Sequence, residues 1–437
     1  MRRHLSGSLP GLLALLLFAL IPYSLAAVTG QPEEGLSGVA RIHSAAESVY
    51  CQEGLNPAAV ALLVEMGLML GAVIIGGRRP AADGQRPFFS TDGWHLLAVM
   101  ALVAIPFVIA WRTDSSVCRR GDAFFWQSIF VDVFILAILA MSYNLMFGFT
   151  GVVSFGHAAF FGSGAYLVGL LMLHLQWPWW TAVLAALTTG ALIALVKGVV
   201  GLRIRGLYFA LFTLAFAEIF FLLAGNRILV NLTGAEDGFT FAVPDWLNST
   251  KNRLFFYYLT LVALVFSFWL IRRLVHSPTG RVMAALRDNE ARAQMLGYNT
   301  FYFKLIAIVL AGVMATGAGV LRGLALKGAS PNVLGLDFTI NPLLMTIVGG
   351  QGTFVGPVVG AFGLHLVEQA LRDTVLTIGG LEVNVGERWA LILGLVFILS
   401  VLVFPYGIVG TWQLKGLHTR AGWRRLLRRS TDLSNRE

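Results

Sequence analysis

Long apolar runs alternate with short polar segments along most of the chain. Each run but the one at 339–371, which is longer, has about the 17–25 residues that a helix needs to cross the roughly 30 Å hydrocarbon core of a bilayer, so the pattern predicts transmembrane helices. The runs lie at 9–30, 57–76, 95–111, 123–147, 151–174, 180–200, 207–224, 254–271, 301–325, 339–371 and 387–409. The first run is either a cleaved signal peptide or a retained span. Its length favours the span, because signal-peptide apolar cores have about 7–15 residues.

The run at 339–371 is interrupted by "GGQGTFVGP", which concentrates glycine and proline in the middle of an apolar stretch. If every run crossed once from a cytoplasmic N-terminus, the basic tail at 411–437 would lie outside, against the positive-inside rule. If this run instead forms two half-helices that enter and leave at the same membrane face, the chain crosses ten times and the tail lies inside. A change in the number of crossings elsewhere in the chain would have the same effect. We therefore expect an all-α polytopic membrane protein with about 10 transmembrane helices, a re-entrant glycine-broken hairpin and both termini cytoplasmic.

A second glycine-rich interruption, "GFTGVVSFGHAAFFGSGAY", occupies residues 148–166. Paired interruptions in the two halves of a transporter indicate its solute path, because helix ends and unwound backbone face a polar solute there. The alternative for any single glycine is close helix packing through small residues. The candidate path residues are Ser154, Gly156, His157, Gly349, Gly350, Gly352 and Thr353.

Composition excludes an ordinary soluble domain, since 57% of residues are hydrophobic, 13% are charged and the mean hydropathy is +0.74. The net charge of +9 reflects basic loops between apolar spans rather than nucleic-acid binding. Basic segments at 78–86, 203–205, 272–292 and the tail are expected inside, and the acidic segments 31–56 and 225–253 outside. The loop at 112–122 carries three arginines and argues against this orientation.

The most polar internal segment, "RDNEARAQMLGYN" at 287–299, follows a predicted turn and a helix over 280–287. Asn289 is placed to cap a second helix that ends at Gly297. A helix this short is marginal in water, so it needs a surface on which to dock. We expect Ala291, Gln294 and Met295 to form the docking face; the alternative is a charged loop that only fixes topology.

Three segments in order resemble the branched-chain amino acid (LIV-type) ABC transporter permeases. They are "NLMFGFTGVVSFGHAAFFGSGAY", "ALRDNEARAQMLGYNTFYFKLIAIVLAGVMATGAGVL" and "LLMTIVGGQGTFVGPVVGA", within a similarity over 95–410. The resemblance implies a type II ABC importer-like permease core, an N-terminal extension at 1–94 with about two extra spans, and a basic cytoplasmic tail. It also implies that the polar segment is the coupling helix for an ATPase, with the residues Arg287, Asp288, Asn289, Glu290, Ala291, Arg292, Met295 and Gly297. The glutamate stands one place earlier than in the E-A-A-x-x-x-G pattern of ABC importers.

The chain has no G-x-x-x-x-G-K-[ST] loop for nucleotide phosphates, so any ATP must be bound elsewhere. The resemblance implies two cytoplasmic ABC ATPase subunits that hold ATP and Mg, a sister permease in a heterodimer and a periplasmic solute-binding protein. No cofactor or metal is expected in this chain. Branched-chain amino acids are the implied solutes, crossing the bacterial inner membrane; similar permeases carry urea, amides or other small solutes.

A rival interpretation is an ion-coupled carrier, for which the ionisable candidates inside spans are Asp132, His157, Glu218, Lys304 and Glu368. For Asp132 and Glu218 we favour structural pairing or a position facing a cavity over a proton relay. An enzyme is disfavoured, because the chain lacks H-E-x-x-H and G-x-S-x-G motifs. Cys51 and Cys118 fall outside on this topology and either form a disulfide in an oxidising periplasm or stay unpaired.

Overall fold

The computed structural model describes residues 92–113, 121–204, 206–372, 375–378, 381–384, 389–404 and 406–411. The two N-terminal apolar runs, the acidic segment 31–56, both cysteines and the basic tail lie outside these residues. The predictions made for them therefore remain predictions.

Helices dominate the described part of the chain. In order they are α1 (Asp92–Thr113), α2 (Asp122–Thr150), α3 (His157–His174), α4 (Trp179–Gly201), α5 (Leu207–Ala224), α6 (Val230–Thr233), α7 (Arg253–Val275), α8 (Pro278–Asp288), α9 (Glu290–Met295), α10 (Thr300–Leu326), α11 (Asp337–Gly349), α12 (Gly356–Arg372) and α13 (Trp389–Val403). Within the described residues, seven helices are long and apolar enough to cross a membrane: α2, α3, α4, α5, α7, α10 and the final segment Leu391–Thr411. The apolar part of α1, Ala98–Thr113, is shorter.

Four short strands depart from the all-α prediction. β1 (Phe239–Thr240) pairs antiparallel with β2 (Gly328–Ala329), and β3 (Val375–Ile378) pairs antiparallel with β4 (Leu381–Asn384). The first pair joins the segment after α6 to the end of α10. β1 and β2 have two residues each, too few for an alternating sequence pattern, which explains why the hydrophobic pattern did not predict them; β3 and β4 have four each and fall between the predicted apolar runs 339–371 and 387–409.

The chain divides into two compact units, residues 1–131 with 243–265 and residues 132–242 with 266–437. In the first unit, Pro106 lies inside α1 and has no N–H with which to bind the carbonyl of Leu102 one turn earlier. The Tyr257 hydroxyl donates to that carbonyl at 2.5 Å, and the Tyr258 hydroxyl donates to Val103 O at 3.0 Å. Two tyrosines of α7 thus satisfy the backbone around the proline, as a low-dielectric surrounding requires.

In the second unit, α3 lies against α4 and α10 and is buried over most of its length. Its helix axis approaches α10 closely: a Cβ on Gly164 would lie 2.1 Å from Thr316 O, and one on Gly319 would lie 1.8 Å from Phe161 O. Packing through small residues, the alternative considered for the glycines, is therefore present at these two contacts.

The predicted interruption at 349–357 is confirmed, because α11 ends at Gly349 and α12 begins at Gly356. The two helices run back alongside each other. A Cβ on Gly349 would lie 1.8 Å from Gly356 O, and a Cβ on Gly360 would lie 1.8 Å from Met345 O. The structure has the helix pair that a re-entrant hairpin needs, and which membrane face its ends reach remains a prediction.

Candidate functional site: two helix breaks and the α8–α9 segment

The first helix break covers residues 151–156, between α2 and α3. Its polar backbone is bound by side chains that come from other helices. Phe155 N donates to Thr213 Oγ1 at 3.0 Å, and Ala158 N, in the first turn of α3, donates to Thr339 Oγ1 at 2.9 Å. Side chains of the protein therefore satisfy this non-helical backbone, which is the condition under which such backbone is tolerated at membrane depth.

Lys197 of α4 supplies the third anchor of this break. Its ammonium donates to Gly156 O at 2.9 Å and to Ser154 Oγ at 3.0 Å, and it lies 4.4 Å from the centre of the Phe160 ring. The residue is 1% exposed, and no described carboxylate lies within ion-pair distance of it. Lys197 was not among the predicted site residues; the available signal was one lysine inside the otherwise apolar run 180–200.

His157 begins α3 and is fully buried. Its Nε2 lies 2.8 Å from the Ser142 hydroxyl oxygen, and the rings of Tyr143 and Phe160 meet it edge-on at 5.2 and 5.7 Å. Ser154 and Gly156 are buried as well. In this structure the predicted path residues of the first break contact protein, and their role toward a solute remains a prediction.

The second break covers residues 350–355, between α11 and α12. Gly350 and Gly352 have φ of +125° and +72°, which favour glycine. The Thr353 hydroxyl donates to Gly350 O at 2.7 Å and accepts from Gly356 N at 3.0 Å, so it caps the start of α12. Thr353 and the glycines of this break thus have a clear local structural role.

Asn144 of α2 binds the second break. Its side-chain amide donates to Thr353 O at 2.9 Å, and its Oδ1 accepts from Gly352 N at 2.8 Å. The rings of Phe149 and Phe354 also meet, with centroids 5.5 Å apart. The second break therefore lies against the last two turns of α2, which lead into the first break, and Asn144 is a second residue that the sequence prediction missed.

The polar segment at 277–297 forms two capped helices. Ser277 Oγ accepts from Gly280 N at 3.2 Å at the start of α8, and Asn289 Oδ1 accepts from Arg292 N at 2.9 Å at the start of α9. The chain leaves α9 through Gly297, with a φ of +86°. The predicted capping by Asn289 is confirmed, and the first helix begins at Pro278 rather than at Gly280.

Two side chains of α9 attach the helix to the start of α10. Glu290 Oε1 lies 2.6 Å from Lys304 Nζ, and Gln294 Nε2 donates to Thr300 Oγ1 at 3.1 Å. Ala293 is buried beneath the helix. Ala291, Gln294 and Met295, the predicted docking face, are all exposed, and so is Leu296; Met295 and Leu296 are 81% and 72% exposed, and whether this face meets another protein remains a prediction.

Arg287, near the end of α8, connects this segment to both breaks. Its guanidinium donates to Gly148 O at 2.6 Å, in the last turn of α2 before the first break. The same group lies against Gly352 of the second break, where a Cβ would stand 2.1 Å from its nitrogen. Just before α8, the His276 ring stacks on Phe354 at 5.2 Å and 11°. The α8–α9 segment is thus held directly to the site formed by the breaks.

The ionisable residues considered for an ion-coupled carrier mostly have partners. Asp132 forms an ion pair with Arg322 of α10, which agrees with the favoured structural pairing. Glu368 of α12 lies 2.8 Å from Arg372 and 3.7 Å from His365. Glu218 differs, because it is exposed on α5 and no described side chain binds it.

Helices of membrane-spanning length, with two helix breaks near a short exposed helix, are typical of a polytopic helical membrane protein. Residues 126–401 match the family described as "Branched-chain amino acid transport system / permease component". This match covers more than half of the chain, which therefore belongs to that family. The resemblance found in the sequence is confirmed.

Known relatives agree with this assignment. The high-affinity branched-chain amino acid transport system permease protein LivM of Salmonella typhimurium is 28% identical over 334 residues, which are 70% of this chain and 74% of that protein. LivM of Escherichia coli K12 is 28% identical over 331 residues, with the same coverage. The ribose import permease protein RbsC of E. coli K12 is 28% identical over 201 residues, 44% of this chain and 60% of that protein. No solved structure shows a significant match to the chain.

Proposed function

We propose that this chain is the transmembrane permease subunit of an ABC importer that carries branched-chain amino acids across the bacterial inner membrane. Two cytoplasmic ATPase subunits would bind ATP and Mg, a sister permease would complete the path in a heterodimer, and a periplasmic binding protein would deliver the solute. The observation that carries the proposal is the contact of Arg287 with Gly148 and Gly352, because it ties the α8–α9 segment to both helix breaks.

The proposed mechanism starts at α9. Met295 and Leu296 would enter a cleft of the ATPase, while Glu290 and Gln294 keep α9 attached to the start of α10. When ATP closes the ATPase pair, α9 moves, and α8 moves with it. The Arg287 contacts then carry the displacement to the two breaks, where broken helices need to shift only a few backbone hydrogen bonds to alternate the path between faces.

The choice of solute rests on the relatives. Two LivM proteins match along most of their length, whereas the ribose permease matches over a smaller share of the chain. Branched-chain amino acids are therefore the first solutes to test, and urea, amides and ribose follow. The rival ion-coupled carrier is disfavoured because Asp132, Lys304 and Glu368 each have an ion-pair partner.

Reconstitution tests the proposal. The tagged chain is purified with its associated subunits and placed in proteoliposomes with the binding protein and radiolabelled leucine. Uptake should require ATP on the ATPase side and should stop when the P-loop lysine of the ATPase is replaced. Uptake by this chain alone, driven by a proton or sodium gradient, would establish the carrier instead.

A further inference from the structure

One face of α5 is exposed and carries an acidic residue. We call this face the α5 seam and define it as Tyr208, Leu211, Ala215, Glu218 and Leu222, which are all exposed. Their spacing alternates between three and four residues, so they form one stripe along the helix. The opposite face is buried and includes Thr213, whose hydroxyl binds the backbone of the first break.

Glu218 lies inside the span rather than at its end. It stands eleven residues after Leu207 and six before Ala224, the two ends of α5. At about 1.5 Å per residue its backbone is roughly 9 Å from the nearer helix end. No described residue donates to it or pairs with it, and an ionisable side chain that faces hydrocarbon is strongly disfavoured. The carboxylate therefore needs a partner outside the described residues.

The exposed faces of two other described spans, α4 and the last one, lack this feature. The outward residues of α4 include Leu184, Leu192 and Val196, and those of the last span include Leu395 and Leu402. Within the described parts of these two helices no exposed residue is charged, as expected for contact with lipid. The α5 seam differs in composition, and Ala215, next to Glu218 on the stripe, allows a second helix to approach closely.

The spacing of the seam is that of helices packed side by side. Positions that alternate by three and four residues form the contact line of two helices that cross at a shallow angle. A single polar residue on such a line selects a partner, because only a helix with a complementary group satisfies it. Charge complementarity thus calls for a partner helix that offers a cation or a hydrogen-bond donor to Glu218.

We propose that the α5 seam packs against the sister permease, which supplies that cation or donor at the depth of Glu218. The inference rests on the proposed function, since the sister permease is part of it. A second copy of this chain fits less well: a twofold axis along the membrane normal would set two Glu218 carboxylates face to face at equal depth. Through Thr213 on its other face, α5 connects this interface to the first break.

Photo-crosslinking in native membranes tests the proposal. The photoreactive residue p-benzoylphenylalanine is placed at the positions of Leu211 and Leu222 in the tagged full chain, with Leu192 and Leu195 of α4 as matched exposed controls. The seam positions should crosslink to the sister permease, identified by mass spectrometry, and the α4 positions should not. Adducts of the seam positions with a second copy of this chain, or with lipid alone, would overturn the proposal.

A second measurement separates the failure of this inference from failure of the proposed function. Glu218→Leu should lower the amount of sister permease that co-purifies with the tagged chain at least severalfold, and Glu218→Gln should lower it less because an amide still accepts a hydrogen bond. Full recovery of the sister permease with Glu218→Leu would refute the seam assignment alone. If the wild-type chain brings down no second permease, the proposed function itself fails.

Discussion

Removal of the Arg287 side chain should uncouple ATP hydrolysis from transport. The guanidinium donates to Gly148 O at 2.6 Å and fills the space beside Gly352. In Arg287→Ala, the Gly148 carbonyl loses this donor and the second break loses its contact with α8. The α9 helix keeps its own attachments, Glu290 to Lys304 and Gln294 to Thr300. The ATPase should therefore still bind and turn over.

The magnitude follows from the type of bond. A hydrogen bond from a charged donor contributes about 1.5–3 kcal/mol, and the lower end applies here because the arginine is partly exposed. Since about 1.4 kcal/mol corresponds to a factor of ten, the attached arrangement of α8 should be weakened roughly tenfold. We expect the number of leucine molecules imported per ATP hydrolysed to fall by about the same factor.

Proteoliposomes that contain the full complex give both quantities at once, as radiolabelled leucine taken up and phosphate released. Arg287→Lys should be intermediate, because lysine keeps the charge and loses the planar donor geometry. Arg281→Ala, an exposed arginine on the same helix, is the matched control and should leave the ratio unchanged. A wild-type ratio in Arg287→Ala would refute the reasoning, and so would a parallel loss of transport and ATPase activity.

Three further substitutions have definite expected outcomes. Lys197→Met should insert normally into the membrane but reduce leucine uptake about tenfold, which corresponds to a loss of roughly 1.4 kcal/mol of stabilisation at the first break. Unchanged uptake would show that the break does not need the ammonium group. Asn144→Leu leaves Gly352 N and Thr353 O without their partner, which costs about 1–3 kcal/mol for each group. This variant should therefore have a lower thermal unfolding temperature in detergent and a lower uptake, and a wild-type melting curve would contradict this. Gly297→Pro removes the N–H that binds Gln294 O, and proline cannot adopt the φ of +86° found here. The variant should insert into the membrane but uncouple transport from ATP hydrolysis, and normal ATP-dependent uptake would contradict the assignment of α9 as the coupling helix.

Local features of the fold were predictable from the sequence. The first helix break followed from the density of glycine within an apolar run, and the second from glycine together with Pro357. The start of α9 followed from Asn289, whose side chain has only to reach its own helix. Each of these depends on residues within a few positions of one another. The periodicity of apolar residues and the chemistry of short capping side chains determine such features directly.

The groups that hold the breaks were not predictable in this way. Lys197 and Asn144 act on backbone atoms 41 to 209 residues away, so their partners are set by how the helices pack. Likewise, the ion pair of Arg322 with Asp132 and the hydrogen bond of Gln294 to Thr300 depend on the position of α10. The only local signal for these residues was a polar side chain inside an apolar run. Such a side chain needs a polar partner, but the sequence does not identify that partner.

The most direct test of the account is co-purification of the ATPase with the tagged chain from native membranes, comparing wild type with Met295→Arg. Met295 is preferable to Glu290 for this purpose, because Glu290 holds α9 to Lys304 whereas Met295 is 81% exposed. The account predicts that wild type brings down the ATPase together with a second permease, and that Met295→Arg retains the second permease and loses most of the ATPase. Equal recovery of the ATPase from both proteins, or a wild-type chain that purifies alone and transports under an ion gradient, would contradict it.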